Sequence, residues 1–478
     1  MEIIFIIALL IVSSLVSILL KRRAAIEGVS VVSSFIVLIL SISIAIKVAD
    51  FGSYNFLPFF NIDALGAIMI LIVSFVGFFT VVYSIVYLRK ETAKNIIGFT
   101  RVKQYFILLN LFLTAMFLSI SASNPIFAWI SIEATTLSTA FLVSFYNKPS
   151  SVEAAWKYLI INSVGLLLGF FGTLLYFTEI HGTGGAISWN LLLENSSNLN
   201  PLLAKIAFIF VLIGYGTKVG FVPMHTWKPD AYSKAPAPLG ALLSGALLPI
   251  AFMIILKFKK ITDAVVGPLF SQHLLIAFGV LSVAVSALII FNSRNYKRLL
   301  AYSSIENAGI MALGFGFGGL GIFAAILHMI YHSCVKAILF FTSGNLLLKY
   351  SSAKIQNIKG ALKILPITSV LFILGFLIIS GTPPFGIFLT KVYILSAGIQ
   401  VYPIVSFIVL FFLTITFIGF LKHVSSMFLG EKPVDVEAGE SSIWLLVPPI
   451  IFLVIIIILS FYIPPFLLAL INKAVLLY

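Results

Sequence analysis

The 478-residue sequence contains one cysteine, Cys334, and only 10% of its residues are charged. A lone cysteine excludes an internal disulfide and leaves no cluster to hold an iron–sulfur centre or a structural zinc, so a packing role is expected for it. No G-x-G-x-x-G or Walker sequence occurs in a strand-loop-helix setting, which argues against a nucleotide held by this chain. Acids are few, 16 Asp and Glu against 30 Lys and Arg. Little of the chain is polar enough to form a soluble domain.

What is present is apolar: 61% of the residues are hydrophobic and the mean hydropathy is +1.15. No soluble core could absorb this surface, so an all-α polytopic membrane protein is expected. A spanning helix takes about 20 apolar residues. About fourteen such segments can be placed, near 2–20, 28–49, 65–88, 104–121, 124–145, 155–179, 203–226, 237–256, 274–292, 299–317, 320–347, 364–396, 403–427 and 442–470. The first has Glu2 ahead of it, Lys21, Arg22 and Arg23 behind it, and no small-residue cleavage site. That is the reverse of a secretory signal, so it is expected to stay as helix 1.

A net charge of +14 in a soluble protein would suggest nucleic acid, but here the positions of the charges decide. Lys47, Lys205, Lys257, Lys259, Lys260 and Lys473 fall after even-numbered spans, and Lys218, Lys336 and Lys391 fall within spans. The other basic residues, among them Arg22, Arg89, Lys148, Lys234, Arg298, Lys359 and Lys422, follow odd-numbered spans. The positive-inside rule then puts both termini on the outer face of a prokaryotic inner membrane. No nucleic-acid partner is expected.

Spans 4 to 8 and 9 to 13 form two blocks of five, and an odd number makes the second block run inverted relative to the first, as in transporters. The implied organisation is an N-terminal three-helix segment (1–103), a first repeat (104–258), a second repeat (259–428) and a C-terminal loop with helix 14 (429–478). The second helix of each block carries an acid, Glu133 or Glu306, and the fourth a lysine, Lys218 or Lys391. The fourth helix is also broken in both blocks, at "VGFVPMHTW" and "SGTPPFGIF". Proline removes a donor, and irregular backbone at membrane depth persists only where it lines protein or water. Coincidence is the alternative, since proline and glycine are common in membrane helices. Equivalent placement of Lys218 and Lys391 about a two-fold axis in the membrane plane is the structural test.

A carboxylate in mid-span, as Glu133 is, costs roughly 2.5–3.5 kcal/mol on insertion scales, so it normally faces a partner or a wet cavity. Lys218 is the expected partner: a nearby carboxylate favours the charged amine, and separation releases a proton. The plainer alternative is that the two merely hold helices together. In span 11, His328, His332 and Lys336 are spaced i, i+4, i+8 and share one face, with about 6 Å of rise between neighbours. Histidine exchanges protons near neutral pH, so the face reads as a relay leading to Lys391. As zinc ligands the two histidines would lack a third and fourth partner, so no metal is expected. His225, beside the first break, is either a gate or bonded to freed backbone carbonyls. The loop "WKPDAYSKAPAP", with Lys228, Asp230 and Lys234, reads as a solvated or subunit-facing turn. Glu306 reads as neutralising Lys297 and Arg298, with proton feeding as a secondary role.

The runs "WISIEATTLSTAFLVSFYNKPSSVEAAWKYLIINSVG", "GYGTKVGFVPMHTWKPDAYSKAPAPLGALLSG", "YKRLLAYSSIENAGIMALG", "HMIYHSCVKAILFFTSGNLL" and "GTPPFGIFLTK" resemble the antiporter-like subunits of respiratory complex I, Mrp antiporters and group 4 hydrogenases, in particular the F component of hydrogenase-4-type complexes. The resemblance implies a proton-translocating subunit driven by electron transfer in partner membrane and peripheral redox subunits, with no cofactor or catalytic redox centre of its own. It implies relay roles for Glu133, Lys218, His332, Lys336 and Lys391. Many relatives have a lysine in helix 8 where this chain has Pro249, which throws more weight on helix 11. They often have histidine where this chain has Tyr232 and Asn307, so those positions carry no expected role. With Tyr478 just after helix 14, no long lateral helix is expected. The alternative functions are a component of a sodium/proton antiporter and a non-transporting membrane scaffold.

Overall fold

The computed structural model describes residues 1–178, 187–433 and 436–478. The membrane helices, in order, are α1 (Glu2–Leu19), α2 (Arg23–Phe51), α3 (Ala64–Ala93), α4 (Phe99–Ser121), α5 (Pro125–Val143) and α6 (Pro149–Leu175). They continue with α7a (Pro201–Val219), α7b (Trp227–Lys234), α8 (Ala237–Val266), α9 (Pro268–Phe291), α10 (Tyr296–Phe317) and α11 (Leu320–Tyr350). The chain finishes with α12a (Pro366–Ser380), α12b (Gly386–Val401), α13 (Pro403–Phe428), α14 (Val447–Phe461) and α15 (Pro465–Val475). A hairpin, Tyr54–Phe56 paired antiparallel with Phe60–Ile62, joins α2 to α3.

Among the described residues, 12 helices are long and apolar enough to cross a membrane. α10 and the α12 pair fall outside that set. α10 has the length, at 22 residues, but Ser303, Ser304, Glu306 and Asn307 lower its apolarity. α12a and α12b, at 15 and 16 residues, are each too short for a hydrocarbon core of about 30 Å at 1.5 Å per residue.

Local sequence explains the helix starts. Asn124, Asn200 and Asn295 each cap a helix by accepting from backbone N–H groups of the first turn, at 2.8 Å, 2.9 Å and 2.9 Å for the nearest donor. Pro125 and Pro201 follow at positions where a missing N–H is harmless. Both broken helices stop at a left-handed glycine, Gly220 (φ 85°) and Gly381 (φ 85°), a conformation that favours glycine because it lacks a Cβ. The Val222–Pro223 and Pro383–Pro384 peptide bonds in the two breaks are cis.

The centre of the bundle is α8 and α11. Every residue of the apolar window of α8 is buried and 89% of that of α11, against 28% for α13, which faces outward. α8 contains a π-helical turn, Leu243–Leu247, which ends two residues before Pro249. Such turns absorb an extra residue and occur often at functional sites. Gly245 within it lies so near α11 that a Cβ there would sit 3.0 Å from the Ser333 carbonyl. α6 and α7a cross with their backbones in contact: a Cβ on Gly214 would lie 2.3 Å from the Gly169 nitrogen. Small residues permit this approach between membrane helices.

Candidate functional site

Two buried polar clusters flank α8. In the first, the Lys218 ammonium at the end of α7a donates to Thr136 Oγ1 (2.8 Å) and to Tyr158 OH (2.9 Å). The Thr136 hydroxyl in turn donates to Glu133 Oε2 at 3.4 Å, and Ser163 Oγ donates to Glu133 Oε1 at 2.7 Å. The expected direct pair of Glu133 with Lys218 is therefore replaced by a threonine hydroxyl one helical turn beyond the acid. Lys218 is 1% exposed, while Glu133 is half-buried on the outward side of α5.

The second cluster joins α10, α11 and α12b. Lys391 donates to Glu306 Oε1 (3.0 Å), a direct buried ion pair. Asn307 Nδ2 donates to Glu306 Oε2 (2.5 Å) and to the Ser303 carbonyl (2.7 Å), while its Oδ1 meets His328 Nε2 (3.0 Å). Because both Nδ2 partners only accept, the amide is oriented, and Oδ1 requires a proton on His328 Nε2. His328 Nδ1 faces Thr390 Oγ1 at 2.8 Å. That hydroxyl also lies within bonding distance of the Ile387 carbonyl (3.0 Å), so it can turn to suit either state of the ring. One turn on, the His332 ring stacks at 6.4 Å from His328, and neither of its nitrogens has a hydrogen-bond partner. Lys336 then donates to the Leu300 carbonyl (2.9 Å) and Ser303 Oγ (2.5 Å).

The i, i+4, i+8 face of His328, His332 and Lys336 is thus a fully buried line on one continuous helix. Glu306 departs from its expected main role. It pairs with Lys391, whereas Lys297 bonds the Ala235 carbonyl (2.6 Å) and Arg298 pairs with Asp230. Glu306 lies two to three turns along α10 from Lys297 and Arg298, too far along the helix to pair with either, and is itself buried. His225 packs its ring against Tyr302 at 6.0 Å. Lys228 also departs from expectation. The segment expected to be a solvated or subunit-facing turn is α7b, folded back into the bundle, and within it Lys228 is fully buried with its ammonium on the Val219 carbonyl (2.6 Å).

Asp230 and Lys234 do reach a surface, where Lys157, Arg294, Arg298 and Lys354 complete a cleft of about 530 Å³. A second cleft of about 480 Å³ nearby is lined by Glu91, Tyr146, Lys148 and Lys297. Both open among loops that follow odd-numbered helices.

Thr136, Tyr158, Ser163, Ser303, Asn307 and Thr390 are absent from the sequence-based site, yet each touches a charged or imidazole group in it. A signal existed for half of them: Thr136 and Ser303 stand one turn from Glu133 and Glu306 on the same helices, and Asn307 is adjacent to Glu306. Residues three or four apart share a helical face. Tyr158 and Ser163 come from α6, which carries no predicted site residue, and Thr390, although it adjoins Lys391, meets the ring of His328 on another helix, a partnership that local spacing could not single out.

A family model described as the transmembrane region of NADH:quinone oxidoreductase/Mrp antiporter matches residues 122–419, and one described as the N-terminus of chain 5 of NADH-ubiquinone oxidoreductase (complex I) matches residues 49–95. The hydrogenase-4 component F homolog of Methylacidiphilum infernorum is 38% identical over 353 residues, covering 73% of this chain and 74% of that protein. A subunit of the Na(+)/H(+) antiporter of Alkalihalophilus pseudofirmus is 27% identical over 441 residues, 85% of this chain but 52% of that longer protein. A chain of the membrane-bound sulfane sulfur reductase, an archaeal respiratory membrane complex, has the same fold, with a TM-score of 0.88 at 22% identity over 99% of this chain and 97% of that one.

Proposed function

Because the chain belongs to the NADH:quinone oxidoreductase/Mrp antiporter transmembrane family, we propose that it translocates protons as an antiporter-like subunit of a hydrogenase-type or complex I-like redox complex. The observation that carries this is the run Lys391–Glu306–Asn307–His328, in which an ammonium, a carboxylate, an amide and an imidazole are bonded in sequence inside the membrane. Packing does not require such a set. Apolar residues of similar volume stabilise a buried site as well or better than an ion pair, and intramembrane ionisable groups mark ion pathways.

The relay residues are Glu133, Lys218, His328, His332, Lys336 and Lys391, with Glu306 as partner to Lys391. His225 is at most a neighbour of the path. When Glu133 swings toward Lys218 through the Thr136 hydroxyl, the amine holds its proton; when it withdraws, the amine gives the proton up toward α11. A neighbouring membrane subunit covers the outward side of α5 and sets the position of the half-buried Glu133. Electron transfer in peripheral partners supplies the drive. Helices α4–α8 and α9–α13 act as two inverted blocks, with the termini outside and the two basic clefts taking up protons from the inner face.

In vesicles carrying the assembled complex, Lys218→Met and Glu133→Ala are expected to abolish formation of a pH gradient. Unchanged proton stoichiometry in both variants overturns the proposal and leaves a scaffold. The likeness to a sodium/proton antiporter is the reason to weigh a second reading, in which sodium is exchanged for protons. A requirement for sodium in the same vesicles selects it.

A further inference from the structure

Lys228 has less support for its charge than the other buried lysines of the two clusters. It is 0% exposed, donates one hydrogen bond, to the Val219 carbonyl, and holds its ammonium 5.7 Å from the Tyr232 ring centre. No ion pair among the described residues includes it. A buried ammonium with one carbonyl and one ring for company is costly, and for packing alone an apolar side chain would serve better.

The two helix breaks explain its position. At the second break, the Lys391 side chain runs across the capping glycine Gly381 and reaches the last carbonyls of α12a, at Ile379 (3.1 Å) and Ser380 (3.5 Å). At the first, the Lys228 side chain runs across Gly220 and reaches the last carbonyl of α7a, at Val219. A Cβ on Gly381 would meet Lys391 Cδ at 3.0 Å, and one on Gly220 would meet Lys228 Cδ at 2.9 Å. In each case a cation from beyond the break sits on the negative end of the half-helix before it. Lys218 precedes its break and has no such relation. The local geometry therefore pairs Lys391 with Lys228, where the sequence suggested Lys218.

The surroundings of Lys228 have hydrogen-bonding capacity to spare. The Tyr232 hydroxyl and both His332 nitrogens are buried without partners. The Tyr232 ring lies between the Lys228 ammonium and α11, the helix that carries His332 and Lys336. On its other side, Trp227 packs edge-on at 5.0 Å against Tyr158, the phenol that holds Lys218. Tyr232 bridges to α11 through Phe340, at 5.6 Å.

Resting on the proton-transport reading above, we infer that Lys228 is a further relay residue, which passes protons between the Lys218 cluster and His332 and Lys336. Its ammonium gives one proton, through a bridging water bonded to the Tyr232 hydroxyl, to a His332 nitrogen, leaving a neutral amine and an imidazolium. The amine then takes a proton originating at Lys218 and is restored.

The test uses membrane vesicles holding the complete complex, with a pH-sensitive dye as probe and the signal normalised to intact complex on a native gel. Lys228→Gln keeps a donor for the Val219 carbonyl but cannot carry the proton; Lys228→Arg keeps the charge but cannot release it. Both are expected to lose at least nine-tenths of the initial rate of gradient formation, as Lys218→Met does. If Lys218→Met abolishes the gradient while either Lys228 variant retains more than half, Lys228 merely caps the helix and this inference falls alone. If Lys218→Met has no effect, the transport reading falls first. Should neither Lys228 variant assemble, Tyr232→Phe decides, because its hydroxyl has no protein partner to lose. A severalfold lower rate is expected, and an unchanged rate overturns the inference.

Discussion

Replacing Thr136 by valine removes the hydroxyl between Lys218 and Glu133 while keeping the branched shape of the side chain. Thr136 is fully buried, and the bond it accepts from the Lys218 ammonium is 2.8 Å long. A hydrogen bond to a charged group contributes about 1.5–3 kcal/mol. Lys218 would retain only Tyr158 among the two acceptors it now has, and Glu133 would retain only Ser163. If that loss falls wholly on the transferring state, at about 1.36 kcal/mol per factor of ten, proton transfer through this point slows roughly 10- to 150-fold. The assay is the initial rate of dye-reported acidification in vesicles, per intact complex. Thr136→Ser, which restores the hydroxyl, should recover most of the rate. A Thr136→Val complex that assembles and pumps within twofold of the unaltered protein would refute the threonine bridge.

Three further outcomes follow from the packing. Asn307→Leu leaves Glu306, the Ser303 carbonyl and His328 each short of a partner, at a cost of about 3 kcal/mol or more; heating the solubilised complex should dissociate it at a lower midpoint, and an unchanged midpoint would contradict the bonding at Asn307. Tyr331→Phe deletes the 2.7 Å bond from α11 to the Leu459 carbonyl of α14, a loss of about 1 kcal/mol that should lower heat resistance slightly and leave pumping intact; a pumping defect would place Tyr331 in the path. Gly214→Leu has no room beside Gly169, so the protein should be missing from the complex on a native gel, and normal assembly would show that α6 and α7a can separate at little cost.

Composition, run length and the Pro–Gly punctuation were enough to identify an all-α membrane protein, the approximate positions of most of its long helices and the two helices that break. These are local properties: a bilayer demands about 20 apolar residues per helix, and Gly220 and Gly381 announce a helix end by the one conformation that favours them. The line of His328, His332 and Lys336 was legible for the same reason, since helical periodicity alone puts them on one face. Partnership was not legible. Glu133 and Lys218 are separated by a threonine, Glu306 turns from its neighbouring bases to Lys391 on another helix, and Lys228 is buried although its segment reads as a polar turn. Such choices depend on how helices distant in sequence pack and where a broken helix folds back, and only the tertiary structure decides which hydroxyl or carbonyl a buried charge meets.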